Sequence, residues 1–525
     1  MNEHTSGNLS RRQILGAAAA LGAGAWLAGT AFAPGRASAA TSKDQVDELR
    51  RKFFSGPVGD LVDLDGLDPD RLPDSVQIGA VNQFQLVDDY PWMAPETALP
   101  FAVAAGLKWI RNGFVYSHWD WSANQPKEIL EDAVTAMQEH GIRPLFTLDY
   151  NDLVGTDKEL SAPVDMVMAA VERWGTDVGA FMFSNEPGNG VWKQTYGGDY
   201  TGGEWLTRFS AHVEEASTRI KESHPDVVLI NSVQVESPAI AQLRQSSPIL
   251  DGICMHHYTY RHNLHAEYSP RTPDPKFTTF ASSNPHFEGV MRDYRAQARM
   301  LLQQSKLQVW MTEMGIPSLS NREFPEDTLE SMSEEQQAKN TARMLVLGFL
   351  TADKSFVYQL IDQGHSAARD NDNFGMVNDE LQPKQGFFVL GRISALTGGR
   401  ATPDPEFHTA VTDVDGEALP LHVKNVPINV AGDVYTLVKE ELRAVRFTTA
   451  DDRGLVAVWS TAPPRDDFEP RRTTFATNKS LGRHPVLVDP MTGESRTLHT
   501  RSDYGDGDEF ELDVTDYPQF ILSEG

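Results

Sequence analysis

The stretch Gly179-Ala180-Phe181-Met182-Phe183-Ser184-Asn185-Glu186-Pro187 decides how this chain folds. A short apolar run rich in aromatic side chains stops at Asn-Glu-Pro, and glycine follows at Gly188. A run of that length with Gly/Pro punctuation reads as a strand buried on both faces, as in a parallel sheet, with a carboxylate at its C-terminal end. Leu307-Gln308-Val309-Trp310-Met311-Thr312-Glu313-Met314-Gly315 repeats the pattern with β-branched residues added.

Outward from these two, six further runs have the same character: Val76 to Val81, Lys108 to Gly113, Arg143 to Asp149, Val227 to Ser232, Asp251 to Tyr258 and Phe356 to Asp362. With Gly179 to Glu186 and Leu307 to Glu313 they make eight strands. The stretches between them are longer and amphipathic; Pro126 to Met137, for example, starts with Pro and spaces its apolar residues three and four apart. Strands alternating with helices predict an α/β fold with a parallel sheet, and eight such units in about 320 residues predict a (β/α)8 TIM barrel. After Gly399 the texture changes to short alternating stretches such as Val434 to Val438, Leu455 to Trp459 and Phe520 to Leu522, divided by Gly, Asp and Pro. These predict an antiparallel β-sandwich.

The N-terminus carries an address. Ser10-Arg11-Arg12-Gln13-Ile14-Leu15 matches a twin-arginine signal, followed by an Ala/Gly-rich apolar stretch to Ala33 and a small-residue site at Ala37-Ser38-Ala39. The expected organisation is residues 1–39 signal peptide, 40–75 an irregular lead-in, 76–399 barrel and 400–525 accessory β-sandwich. Cleavage would release a secreted, periplasmic or cell-wall protein; an uncleaved anchor is the alternative reading. A single Cys254 in 525 residues forbids an intrachain disulfide and reads as a small buried core residue. The formal charge is −28. Nucleic acid and anionic membranes are therefore poor partners. Nothing fixes an oligomeric state.

Arg111 on the second strand, Asn185-Glu186-Pro187 ending the fourth, His256-His257-Tyr258 ending the sixth, Thr312-Glu313 ending the seventh, and Tyr358, Leu360, Asp362, Phe374-Gly375 and Pro383-Lys384 beyond them resemble clan A glycoside hydrolases, in the region of families 39 and 5. The resemblance covers roughly Val76 to Thr397. It implies a retaining O-glycosidase with a carbohydrate substrate, no cofactor and no metal. Strand eight departs from the pattern, with Tyr358 where many members of the clan carry Trp.

The chemistry agrees with the resemblance. A retaining glycosidase needs two carboxyl groups about 5 to 5.5 Å apart, one attacking the anomeric carbon and one protonating the leaving oxygen. Strands four and seven face each other across an eight-stranded barrel, so Glu186 and Glu313 qualify as acid and nucleophile. Arg111 and Tyr258 are expected to support the Glu313 carboxylate. Asn185 is expected to reach the sugar 2-OH, His256 to serve the polar rim, and Trp119, Trp192 and Tyr358 to bind substrate through their rings. His257, alternating with His256 and Tyr258, reads as structural; Asp149 and Asp362 read either as site residues or as loop caps.

Two rival readings stand beside this one, and one question of cleft shape. A metal-dependent hydrolase would need several converging ligands, and adjacent histidines on a strand point to opposite faces. A barrel kept as a carbohydrate-binding protein would have no reason to retain both glutamates. The long segment Arg261 to Phe287 and the aromatic-rich loop around Trp192 would close a cleft into a chain-end pocket, against an open cleft that cuts internally.

Overall fold

Eight parallel strands close on themselves in chain order. In the computed structural model they are β1 Ile78–Val81, β2 Trp109–Val115, β3 Arg143–Asp149, β4 Ala180–Phe183, β5 Leu229–Asn231, β6 Gly252–His257, β7 Gln308–Met314 and β8 Lys354–Val357. The structure describes residues 39–53, 57, 59, 61, 67–72, 75–187, 204–231, 249–258, 266–267, 287–302, 305–319, 332–364, 366, 369–413, 426–430, 434–438, 442–500 and 507–523. The expected signal, Trp192 with its aromatic-rich loop, and most of Arg261 to Phe287 lie outside the described residues.

The strands are buried on both faces, as their apolar composition requires; all four residues of β1 and of β4 are buried. The N-terminal end of the barrel is plugged by aromatic rings. Trp109 meets Trp310 edge to face at 5.7 Å, and Trp310 stacks on Phe356 at 6.1 Å. Lys354 lies buried against this plug, its Nζ 4.2 Å from the Trp109 ring centre and donating to the Val76 carbonyl at 3.0 Å. A methyl added at Gly79 would stand 2.7 Å from the Phe356 ring, which is why β1 carries glycine there. With the bottom closed, the opposite end is where the barrel can present chemistry.

Helices follow the strands: α1 Ala39–Phe53 precedes β1, then α2 Pro95–Ala104, α3 Glu128–Glu139, α4 Ala162–Trp174, α5 Glu204–Ser223, α6 Phe287–Leu302, α7 Glu334–Thr351 and α8 Gln385–Thr397. The lead-in is thus helical over its first part, with Val46 and Leu49 buried in the barrel's core. Helix α7 opens on a reciprocal cap between Ser333 and Gln336 and is buried along nearly its whole length, including Lys339 and Arg343. Charged residues are tolerated there because a second layer covers them.

That layer is the C-terminal β structure. Strands β9 Ala401–Pro403, β10 Thr409–Asp413, β11 Val426–Val430, β12 Val434–Val438, β13 Leu442–Thr449, β14 Gly454–Ser460, β15 Arg471–Thr477, β16 Val486–Val488, β17 Ser495–Thr497, β18 Glu509–Val514 and β19 Gln519–Leu522 pair antiparallel throughout. A six-stranded sheet runs β9-β13-β14-β19-β16-β17 and a three-stranded sheet β10-β15-β18. Residues alternate between two cores, as strand geometry dictates. Leu455, Ala457 and Trp459 of β14 join the core of the barrel, while Val456 and Val458 face Phe475 and Phe510 of the smaller sheet.

Strand eight differs from its sequence reading. It starts at Lys354, two residues early, and ends at Val357, after which Tyr358 N donates to Met314 O and Leu360 N to Val81 O without regular pairing. Residues 358–362 are a loop at the mouth of the barrel.

Candidate active site

Glu313 is the sixth residue of β7, and its direction is set by an irregularity. Met255 pairs with Met311 but His256 pairs with Glu313, so Thr312 is an extra residue on β7 opposite β6. Such a bulge re-aims the side chain that follows it. Glu313 is buried, with 8% of its side chain exposed. Arg111 Nη1 donates to its Oε1, and the Tyr258 hydroxyl donates to its Oε2 at 2.5 Å. Burial alone would lower the guanidinium's affinity for its proton, but the Glu313 charge and hydrogen bond raise it overall. Tyr258 is pushed well above the ordinary phenol range by burial and by Glu313, so it stays a donor.

Glu186 leaves β4 by a sharper route. Ser184 and Glu186 both adopt positive φ, 60° and 42°, in the left-handed region that side chains other than glycine rarely occupy. Such conformations cost about 1 to 3 kcal/mol each and persist where the surroundings impose them. They bring Glu186 against His256, whose Nδ1 lies 2.7 Å from Glu186 Oε1 and 3.3 Å from Glu313 Oε2. One oxygen of each glutamate and this nitrogen lie within 4.8 Å of one another. The two carboxyl groups thus approach closely enough to flank a single bond, as a double-displacement pair must. Glu186 is the more open of the two, 26% exposed.

Among the described residues, the chain therefore brings Arg111, Asn185, Glu186, His256, Tyr258, Glu313 and Tyr358 to one end of the barrel. Asn185 accepts from Arg111 Nη2 at 2.6 Å, and Thr147 accepts from Arg111 Nε at 3.0 Å, so the guanidinium is held by three partners. Tyr358 packs edge to face on Tyr258 and Phe374, and its hydroxyl accepts from Gln83 Nε2 at 3.1 Å. The Tyr358-Gln359 peptide is cis.

With this geometry in place, the chain can be set beside other proteins. No family model and no curated protein matches it. Among solved structures it is similar to a family 39 glycoside hydrolase from the gut symbiont Bacteroides cellulosilyticus WH2, at 15% identity and a TM-score of 0.53, over 86% of this chain and 82% of that one. The two share a fold. A family 51 α-L-arabinofuranosidase from Bifidobacterium longum, at 11% identity and a TM-score of 0.48 over 86% of this chain and 98% of that one, is too distant to add to this.

Two expected substrate contacts need correcting. Trp119 is 3% exposed and packs against Phe114, Trp121 and Trp174, so its ring has no face for a sugar. His256 is not on the rim: its side chain is 6% exposed and sits between the two glutamates, with Nε2 3.1 Å from Thr312 Oγ1. Burial would lower its pKa, but the Glu313 charge and hydrogen bonds to Cys254 and Glu186 raise it to about 10. The imidazole is thus a cation at neutral pH. Its neighbour His257 faces the other way, donates Nε2 to the Ala266 carbonyl at 2.8 Å and is lowered to about 4 by burial.

Cys254 is buried as expected, yet it is more than filler, because burial would raise the pKa of its thiol and the neighbouring His256, Thr312 and Arg111 lower it overall. Thr147 and Gln83 escaped the sequence reading, and Thr312, quoted there beside Glu313, was given no role of its own. Asp362 is a buried cap, 2.6 Å from Lys384 Nζ and accepting from Gly375 N at 2.6 Å. Asp149 caps its loop by accepting from Asn151. Glu186, His256 and Glu313 offer three atoms to a metal ion. Two cationic groups already stand there, Arg111 on Glu313 and the His256 imidazolium between the glutamates, and both would repel a divalent cation.

Proposed function

We propose that this chain is an exported retaining O-glycoside hydrolase that cleaves a neutral, β-linked poly- or oligosaccharide by a two-glutamate double displacement. One observation carries the reading: two carboxylates at the mouth of a barrel have oxygens within 4.8 Å, and Glu313 is held by a guanidinium and a phenol. The Glu313 carboxylate attacks the anomeric carbon while the Glu186 carboxyl gives its proton to the departing glycosidic oxygen, and a glycosyl ester forms. Glu186, now anionic, takes a proton from a water whose oxygen attacks the anomeric carbon, which breaks the ester, frees the Glu313 carboxylate and leaves Glu186 protonated again. Arg111 ties Asn185 to the nucleophile, so a 2-OH bound by Asn185 would be in register with Glu313. The solved structure that shares this fold is a glycoside hydrolase by name.

The test is NMR of the first-formed sugar from a panel of chromogenic glycosides and cell-wall polysaccharides. Retained anomeric configuration is expected, and Glu313→Gln should lose turnover while unfolding like the parent. Inverted product, or a fully active variant, would refute the pair. Export is tested separately: Arg11→Lys with Arg12→Lys should leave folded, active precursor in the cytoplasm, and secretion at the parent's rate would exclude the twin-arginine route.

A further inference from the structure

The segment that follows β6 is held by the C-terminal sheet at the described points on either side of its course. Glu267 is fully buried. Its Oε1 accepts from the indole Nε1 of Trp459 on β14 at 2.8 Å, and its Oε2 faces Arg343 Nη1 of α7 at 3.4 Å. Arg343 is itself anchored by the Ser460 and Ala462 carbonyls of the same β strand and its exit. At the far side, Glu288 at the start of α6 pairs with Arg443 of β13 at 2.6 Å. Arg443 and Trp459 are register partners on adjacent strands, and the guanidinium lies 5.2 Å from the Trp459 ring centre. One network therefore runs Glu288, Arg443, Trp459, Glu267, Arg343. The residue before Glu267, Ala266, accepts from His257, whose chain neighbours are His256 and Tyr258.

We infer that the C-terminal sheet is part of the catalytic apparatus, with Trp459 and Glu267 acting as positioning residues for the end of β6 that carries His256 and Tyr258. The inference rests on reading Glu186 and Glu313 as the catalytic pair. A buried carboxylate with an indole and a guanidinium as partners is held far more firmly than a surface pair, because removing one partner leaves a charge without compensation. His256 touches both glutamates and Tyr258 touches Glu313, so a shift at Ala266 reaches them through His257, which lies between them in sequence and hydrogen-bonds the Ala266 carbonyl. Displacements of about 1 Å at such a site cost on the order of a hundredfold in rate.

Trp459→Phe in the full chain removes the indole N–H and keeps an aromatic ring in the core. Amide hydrogen exchange over residues 252–267 should then accelerate on the order of tenfold or more, while β2, β3 and β4 keep parental rates. On a glycoside that the parent cleaves, kcat should fall on the order of tenfold to a hundredfold with a smaller change in KM. Parental exchange over 252–267 together with parental kcat, even with a lower melting temperature, overturns the inference, since a merely structural Trp459 would behave that way. If Trp459→Phe does not fold, Arg443→Met keeps the stem over Trp459 and drops the pair with Glu288; faster exchange over 252–267 and the start of α6 supports the clamp, and unchanged exchange refutes it. The exchange readout needs no catalysis. Should Glu313→Gln stay active, the catalytic reading fails while the clamp is still judged on its own.

Discussion

His256 and His257 are adjacent in sequence and opposite in physics. His256 stands between Glu186 and Glu313, with Thr312 at its other nitrogen and the Tyr258 ring edge to face at 6.5 Å, and the anions prevail over burial. His257 meets a backbone carbonyl and apolar surroundings, and burial prevails. The folded pKa of His256 lies above its ordinary 6.5, so its contribution to stability is complete below about pH 6.5 and is lost as the pH rises toward about 10. The folded pKa of His257 lies below 6.5, so the unfolded chain takes up the proton first and stability is lost as the pH falls from about 6.5 toward about 4. Urea unfolding of His256→Asn and His257→Asn beside the parent from pH 4 to 10 should show the two differences from the parent shrinking in opposite directions. If the stabilisation by His256 grows with pH instead, its imidazole is neutral in the folded protein and cannot be the cation between the glutamates.

At the scale of the element, strand seven shows what the sequence could and could not reveal. The run from Leu307 to Glu313 ending at Gly315 was enough to place a carboxylate at the mouth of a parallel barrel. The same logic singled out Glu186, while Arg111 and Tyr258 entered through the resemblance to clan A glycoside hydrolases and alternation served only to set His257 apart. The bulge at Thr312 and the positive φ at Ser184 and Glu186 were not legible, since neither leaves a Gly or Pro as a mark. Trp119 was misread for a related reason: an aromatic residue in a loop after a strand is equally suited to sugar or to core, and only the packing of Phe114 and Trp174 decides. The short β4, Ala180–Phe183, ends three residues before the glutamate that the reading had kept within the strand. If the bulge is fixed by the Thr312 hydroxyl, which lies 3.1 Å from His256 Nε2, then Thr312→Val removes that partner at nearly constant volume. The expected loss is about 1 to 3 kcal/mol, seen as a lower urea midpoint at unchanged slope. An unchanged midpoint would mean that backbone pairing alone holds the bulge.

The whole molecule is a barrel and a β layer that share one core. The sequence foresaw both parts and their order, because a change from helical to alternating texture near Gly399 is local information. It did not foresee their union, which depends on which face of each strand turns inward. On β14 and β19 that face is set by alternation: Leu455, Ala457, Trp459, Phe520 and Leu522 enter the core of the barrel, while Val456, Val458 and Ile521 enter the core between the sheets. Phe349 of α7 meets Phe447 of β13 edge to face, Arg392 of α8 donates to the carbonyls of Pro490 and Met491, and Lys339 pairs with the buried Asp516. A chain stopped after Gly399 would strip Arg343 of the Ser460 and Ala462 carbonyls and Lys339 of Asp516, and would uncover the apolar surface around them. It is expected to be insoluble or to lack a cooperative transition. The full chain should melt in one calorimetric step whose measured enthalpy equals the van't Hoff value, because neither part can lose its fold and leave the other's core intact. Two resolved steps in the full chain, or a truncated barrel that unfolds cooperatively at the parental midpoint, would show that the β layer is an independent attachment and not the outer wall of a common interior.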